Sequence, residues 1–493
     1  MALSRRDIIR NTAIGAGVVA VGNVDVLFGA GRAHADGAGA EHGNGGSSAP
    51  YGDLVPDPAG ILDLPKGFSY EIVSQAGERL INGKPLPDRF DGTGTFAGPL
   101  KSVFIVRNHE QYESAPIPCI DSARPAFVYD NGVYAATGEY AANGGTSTVV
   151  LDRRNHKVLE YVSLAGTYSN CAGGETPWGT WLTCEETELV PGPTNGATKT
   201  HGWVFEVDPY SPLHNARPTP LEALGRFAHE AAVVDPRTGS VYLTEDSSKP
   251  NGLVYKCEPA DPRPGYGRLR AGGSLFAMRC TEGGAAVPDL SVYTEIGTTL
   301  AVEWVAVPDP AAMTMGSTRK QFDFLDFAAN AVVAGVSGDA ITRSRKFEGA
   351  WYDGGKIFIV CSFAHGAGDW SLGSHDGQVW SLDPSDETLT LEVRFDVNVD
   401  PAGAGTDLPD GPDNITVSPW GGVILCEDGE GVQHLLAVAP DGSTSLFARN
   451  HENDSEFTGA CFSPDRKTLF ANRQEPGITF AITGPFAKVN RAR

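Results

Sequence analysis

Cys171, Glu230, Glu348 and Asp413 share one position in a recurring pattern: each stands six residues before the Pro or Gly of a tight turn, at Pro177, Pro236, Gly354 and Pro419. Thr93 and Thr458 hold the same place before Pro99 and Pro464. Eight to eleven residues beyond the turn residue come Asn108 and Glu110, Glu185 and Glu186, Glu245 and Asp246, Ser362, Glu427 and Asp428, and Asn472 and Arg473. A thiol joined by this many carboxylates is a donor set for cations, since thiolate suits softer metals and carboxylate oxygens suit hard ones. Gathered together without cations, such carboxylates would repel one another and push up each other's pKa. A site for several metal ions is the economical reading, with Cys171, Glu230, Glu348 and Asp413 as its first candidates. Glu185, Glu245, Asp246, Glu427 and Asp428 follow from the far ends of the pattern. His109 and His229 flank these positions as ligands, as donors to ligands, or as packing residues.

The elements that must position these residues are hairpins. Each copy reads as an apolar segment, a turn, a second apolar segment and a polar end, as in Phe347-Glu348-Gly-Ala-Trp-Tyr-Asp-Gly354-Gly-Lys-Ile-Phe-Ile-Val-Cys361. Antiparallel pairing brings the start of the first strand and the end of the second to one edge. Five copies are clear, and residues 91–110 form a weaker sixth. Most are followed by a further strand, such as Gly202-Trp-Val-Phe-Glu-Val-Asp-Pro209. Repeated hairpins with added strands predict an all-β chain, a six-bladed β-propeller whose candidate residues converge on one rim. A pair of β-sandwiches is the rival, and it leaves the recurrence unexplained. Residues 261–344 exceed the needs of a blade and read as a helical and loop insertion between blades, with outer strands at 273–280 and 300–307 and a helix over 321–334. Trp178, Trp351 and Trp420, near the turns, read as packing residues between blades.

The 493 residues carry 60 Gly and 34 Pro with only 20% charged residues, a composition that favours many short strands over long helices. The net charge of -23 leaves no broad basic face, so the chain is not read as a nucleic-acid-binding module. Ser4-Arg5-Arg6-Asp7 precedes a short apolar stretch, and Ala33-His34-Ala35 offers a cleavage site. Residues 1–35 therefore read as a twin-arginine export signal rather than a stable membrane anchor. This predicts dealings with the twin-arginine machinery and a periplasmic or extracellular location. Residues 36–58 read as a flexible linker and 59–488 as the propeller, expected to act as a monomer. Of the eight cysteines, Cys184, Cys361 and Cys426 end apolar segments and read as buried strand residues. One or two disulfides at most are expected, with Cys257 and Cys280 the first pair to test.

The stretch Asn170-Cys-Ala-Gly-Gly-Glu-Thr-Pro-Trp-Gly-Thr180, the Cys184-Glu-Glu that follows, His229-Glu230, and the run from Phe457 to Gln474-Glu-Pro-Gly477 resemble the PhoX family of bacterial alkaline phosphatases. The likeness extends from about residue 60 to 485 and includes the twin-arginine leader. It implies a six-bladed propeller that hydrolyses phosphomonoesters with two oxo-bridged Fe3+ ions and Ca2+. Carried over, Cys171 would be the thiolate iron ligand and Glu230 and Glu348 iron-binding carboxylates. Glu185, Asp246, Asp413 and Glu427 or Asp428 would face calcium. Where the family places Arg two residues before the glutamate matching Glu348, this chain has Lys346, which loses the bidentate fork toward a phosphoryl group. Lys346 and Arg473 are the expected substrate contacts and, with Glu348, the expected catalytic residues. The competing readings are a calcium-dependent propeller hydrolase acting on a lactone or phosphodiester, and a noncatalytic, calcium-stabilised binding propeller.

Overall fold

Short apolar runs ended by Gly and Pro turns build antiparallel sheets throughout the chain, and no helix among the described residues is long and apolar enough to cross a membrane. The computed structural model describes residues 51–335, 340–362, 371–397, 409–440 and 444–487. The expected leader and most of the expected linker lie outside these residues. Inside the expected linker, β1 (Leu54–Val55) already pairs with β2 (Leu62–Pro65), and β3 (Ser69–Gln75) follows. A four-stranded sheet comes next, from β4 (Phe90–Ala97), β5 (Val103–His109), β6 (Gly144–Leu151) and β7 (Lys157–Thr167). Three strands form the second sheet: β8 (Asn170–Glu175), β9 (Trp181–Glu185) and β10 (Val204–Val207).

The next hairpins share one ten-stranded sheet. It contains β11 (His229–Val234), β12 (Val241–Glu245), β13 (Val254–Pro259), β14 (Gly273–Glu282), β15 (Ala285–Val287) and β16 (Thr299–Ala306). After the small hairpin of β17 (Phe324–Asp326) and β18 (Ala331–Val333), it continues in β19 (Phe347–Asp353), β20 (Lys356–Cys361), β21 (Gly377–Asp383) and β22 (Thr388–Phe395). The two halves join where β16 pairs with β22. Then come β23 (Pro412–Val417), β24 (Val423–Glu427), β25 (His434–Val438) and β26 (Thr444–Asn450), extended outward by β2 and β1. The last sheet, β27 (Phe457–Phe462), β28 (Thr468–Arg473) and β29 (Ile478–Thr483), is completed by β3.

The arrangement is all-β and propeller-like. Its sheets do not divide into six separate units of equal size, because the second has three strands and one sheet spans two hairpin repeats. The innermost strands nevertheless follow one another in a ring: β4, β8, β11, β19, β23 and β27 each pack against the next, and β27 packs against β4. Apolar side chains fill the spaces between the sheets. Leu182, Leu243 and Tyr255 lie in one such layer, Phe347, Ile359 and Trp380 in another, and Ile105, Val149 and Phe470 where the last sheet meets the first. Each such side chain contributes about 1.5–3 kcal/mol by leaving water. Trp178 and Trp351 join these layers, whereas Trp420 stands exposed at its turn.

Two expectations are corrected in the insertion. Its outer strands are present as β14 and β16, but 321–334 form no helix. Arg319–Gln321 make a single 3-10 turn, and β17 and β18 form a hairpin whose connection turns at Asn330 with φ +49°. The β-branched pair Val332-Val333 and a residue able to take a left-handed conformation favour the hairpin over a helix. Cys257 and Cys280 are not bridged, and all eight cysteines are buried and free. Cys257 lies opposite Leu275 in the β13–β14 ladder. Cys280 is five residues further along, roughly 16 Å of strand, far outside disulfide reach.

Candidate metal centre

All six inner strands break register close to their start, five directly after the first paired residue and β27 one residue later. The ladder with the returning strand skips between Phe90 and Thr93, Asn170 and Gly173, His229 and Ala232, Phe347 and Ala350, Pro412 and Ile415, and Thr458 and Cys461. Each break is a bulge, which bends the strand and re-aims a side chain. The residue after the first paired position is Asp91, Cys171, Glu230, Glu348, Asp413 or Thr458. Backbone groups released by the bulges find side-chain partners. Asn108 donates to the carbonyls of Cys171 and Ala172, both at 2.6 Å, Thr244 to that of Glu348 at 2.7 Å, and Asn472 to that of Asp91 at 2.8 Å. Small residues follow the aimed ones. A Cβ on Gly92, Gly349 or Gly459 would come within 2.5–2.8 Å of the neighbouring strand's backbone. The strands can therefore close up directly beneath the aimed side chains.

The aimed side chains meet the residues just past the return strands. Ligand atoms of Cys171, Glu186 and Glu230 lie within 4.8 Å of one another, as do those of Glu230, Glu348 and Asp413, and those of Asp413, Asp428 and Glu456. Glu230 and Asp413 belong to two groups each, so the three form a connected row. Beside it, Asp91 and Glu110 approach the same amide, Gln474 Nε2, at 3.3 and 2.8 Å. Ser169 donates to Glu110 at 3.1 Å, and the Tyr112 hydroxyl donates to it as well.

Burial is the main force on these groups, and their mutual repulsion adds to it. Burial, then the charges of Asp413 and Glu348, holds the Glu230 carboxyl well above the usual carboxylate range. Burial followed by Asp428 does the same to Asp413, and burial followed by Asp246 to Glu348. Glu186, Glu456 and Asp91 are raised likewise. Burial, then Glu230 and Glu186, raises the Cys171 thiol, which donates to the His229 carbonyl at 3.2 Å. A set of donors this crowded fits cations, which supply the missing positive charge. The thiol end suits a thiolate-binding metal, and the all-oxygen end a hard one. Lys346 supplies some of that charge from the protein: its Nζ lies 3.2 Å from Glu348 and 3.4 Å from Asp246.

Of the candidates, the structure brings Cys171, Glu230, Glu348, Asp413 and Asp428 into the row, with Asp246 and Lys346 against it. Glu185, Glu245 and Glu427 are instead turned away. Each is the residue paired with the first position of its inner strand, and strand alternation sends it to the opposite side from its successor. Glu185 meets His201 at 2.6 Å and accepts from the amides of Tyr168, Gly202 and Trp203. Glu245 meets Arg319 at 2.9 Å and accepts from Tyr255 and the Leu253 amide. Glu427 meets His434 at 2.7 Å and accepts from the Asp410 amide. Arg473 has this same outward parity, opposite Phe457. It is buried, pairs with Glu452 and donates to the Pro476 carbonyl, apart from the carboxylate row.

His109 and His229 bond to the Asp88 and Gly225 carbonyls, and burial depresses both pKa values, that of His229 to about 3. They act as neutral packing groups. Four acidic residues enter the cluster beyond the candidates: Asp91, Glu110, Glu186 and Glu456. Phe90-Asp91-Gly92 repeats the spacing of Phe347-Glu348-Gly349 and Phe457-Thr458-Gly459, a signal that places Asp91 rather than Thr93 in the equivalent position. Glu110 and Glu186 follow the residue paired at the start of the hairpin, as Asp428 does. Glu456 precedes its strand, outside the repeat pattern.

A family model described as Alkaline phosphatase PhoX matches residues 49–477. Among solved structures, the PhoX of Pseudomonas fluorescens in complex with vanadate, a transition state analogue, superposes with a TM-score of 0.62. The two are 19% identical, over 87% of this chain and 96% of that one. A Xanthomonas campestris gluconolactonase gives a TM-score of 0.37 at 12% identity, over 88% and 98%. No curated protein matches the chain.

Proposed function

The chain belongs to the PhoX family of alkaline phosphatases, and from that premise we propose that it hydrolyses phosphomonoesters at the row of carboxylates around Glu230 and Asp413, buried at Glu230 and Glu348 and open to solvent at Asp428. The observation that carries this assignment to particular residues is the set of three overlapping donor groups joined through shared carboxylates. Cys171, Glu186, Glu230 and Glu348 would hold iron, the pair of Fe3+ ions that the family implies. Asp413, Asp428 and Glu456, an oxygen-only set, would hold Ca2+, with Asp91, Glu110 and Asp246 close by. Such cations, when bound, would supply positive charge for phosphate oxygens and for the transition state and would position an oxygen nucleophile.

The protein's own contributions are positional. The bulges fix Cys171, Glu230, Glu348 and Asp413 on strands, and the small residues behind them keep the floor of the site closed. Lys346, about a third exposed, is the cation placed to hold a phosphoryl oxygen as a point charge. Arg473, tied to Glu452, serves the structure around the site. The ring is read as six blades, supported by six inner strands that each carry one bulge close to the start. Export by the twin-arginine route rests on Arg5-Arg6 and the apolar stretch behind them.

The test is hydrolysis of an aryl phosphate at alkaline pH, with elemental analysis of the natively produced protein. Activity should require iron and calcium and fall at least about a thousandfold in Cys171→Ala, judged against oxygen-nucleophile and charge-clamp losses of that size. Full activity in metal-stripped protein would overturn the proposal. Turnover of a lactone with none of a phosphomonoester would favour the gluconolactonase-like alternative.

A further inference from the structure

The opposite ends of the inner strands enclose a second, separate cavity of about 230 Å3. It lies among the last residues of β8, β11 and β19, with Glu175, Pro177, Val233, Pro236, Trp351 and Tyr352 in its walls. Four residues of β8 separate Glu175 from Cys171, roughly 13 Å of strand. Between them the channel narrows to a gap of about 20 Å3 around Gly92, Gly349 and Gly459, space for no more than a water molecule. A ligand at one end cannot reach the other through the ring.

One carboxylate faces this cavity. Glu175 lines it and accepts the Thr95 amide on Oε1 at 2.6 Å, and among the described residues its Oε2 has no hydrogen-bond partner. The other titratable wall residue, Tyr352, is tied through its hydroxyl to Asp235. Among the described residues, no Lys, Arg or His lines the cavity. Apart from Thr176, whose hydroxyl meets that of Thr180, the remaining wall is aliphatic, proline and aromatic, a surface that gains from covering an apolar body and, at its rings, from a nearby cation. The volume falls below the usual range for drug-sized ligands, about 300–1,000 Å3, which limits the occupant to a small molecule.

We propose that this cavity binds a small organic cation, a primary ammonium on a compact apolar body, with its nitrogen on Glu175 and its body against Val233, Pro236 and Trp351. Sign, size and lining all select this class. An anion would meet an unpaired carboxylate, and a large ligand would not enter. Burial raises the Glu175 carboxyl to about 7, so the free site holds a partly protonated acid that an arriving ammonium would ionise.

Calorimetric titration of the metal-loaded protein at about pH 8 with benzylamine, benzyl alcohol and benzoate tests this, since benzylamine is then protonated and Glu175 mostly ionised. Benzylamine should bind saturably, roughly ten- to a hundredfold tighter than benzyl alcohol, with benzoate silent. Glu175→Gln should erase the preference for the amine. Pro236→Trp, an exposed substitution that fills the mouth, should block both ligands, and neither variant should alter hydrolysis of an aryl phosphate. Equal affinity for amine and alcohol, amine binding that survives both substitutions, or no binding of benzylamine would overturn the assignment.

Discussion

Two belts of carboxylates run side by side at one edge of the ring, a single residue apart in sequence and opposite in fate. Glu185, Glu245 and Glu427 form the outer belt, where every carboxylate is matched by donors: a His or Arg and one or more backbone amides. Glu186, Asp246 and Asp428 form the inner belt, where carboxylates crowd one another and share the charge of Lys346. The outer belt is finished by the protein itself, whereas the inner belt is left in deficit. The difference shows that residue type does not distinguish a braced carboxylate from a crowded one. Parity along the strand does, because successive side chains leave opposite faces.

The sharpest way to break this comparison is to neutralise neighbours. Glu186→Gln should lose about a hundredfold or more in phosphomonoesterase activity, with depleted metal and a stability no lower than that of the chelated wild-type protein. Glu185→Gln should keep its metal and lose about 3 kcal/mol of stability, since it weakens a charge-assisted bond and several amide bonds. Elemental analysis and chemical denaturation of the two variants read out both arms. Reversed results would exchange the roles of the belts.

A milder intervention leaves the sequence alone. Chelation should destabilise the protein by about 2.7 kcal/mol for each ion held at a hundred times its Kd, through loss of binding linkage alone. Denaturation curves with and without chelator would measure it, and an unchanged midpoint would mean that the inner belt carries no cation.

The smallest effect lies at the other end of the strands and asks whether strain from buried acids is confined to the metal end. The Glu175 carboxyl is raised from 4.5 to about 7, so the folded state holds its proton more tightly than the unfolded chain. Its stabilising share is fully present below about pH 4.5 and is lost as pH rises through about 7. Glu175→Gln should remove that slope and leave the variant more stable above neutral pH by about 2 kcal/mol, allowing for water in the cavity. Parallel urea titrations at acidic and alkaline pH would show it.

How much of this was legible in the sequence follows from the same strand geometry. The turn spacing located Cys171, Glu230, Glu348 and Asp413 because each hairpin fixes its start relative to its turn. The weaker first repeat pointed to Thr93, two residues from the position that Asp91 holds, because its Gly-Pro turn carries an extra 3-10 step. At the return ends the pattern reached both members of each pair, but it could not tell which side of the sheet each would face. That choice was made by the bulges, and a one-residue slip of register leaves no mark in composition. Glu456 was invisible because it sits before its strand, and residues 321–334 had apolar spacing compatible with either a helix or a hairpin.

The ring is sewn shut by its own first strands, since β3 completes the sheet of β27–β29 and β2 extends the sheet of β23–β26. This sets the timing of maturation. A chain growing from its N-terminus holds Asp91 early and Glu456 only near the end, so the donor row cannot be whole until almost all of the polypeptide has been made. Pairings across some four hundred residues are also slow to form, because distant ends must meet before any contact rewards them. Acquisition of metal would therefore be the last event in the life of the nascent protein and a direct report that the circle has closed.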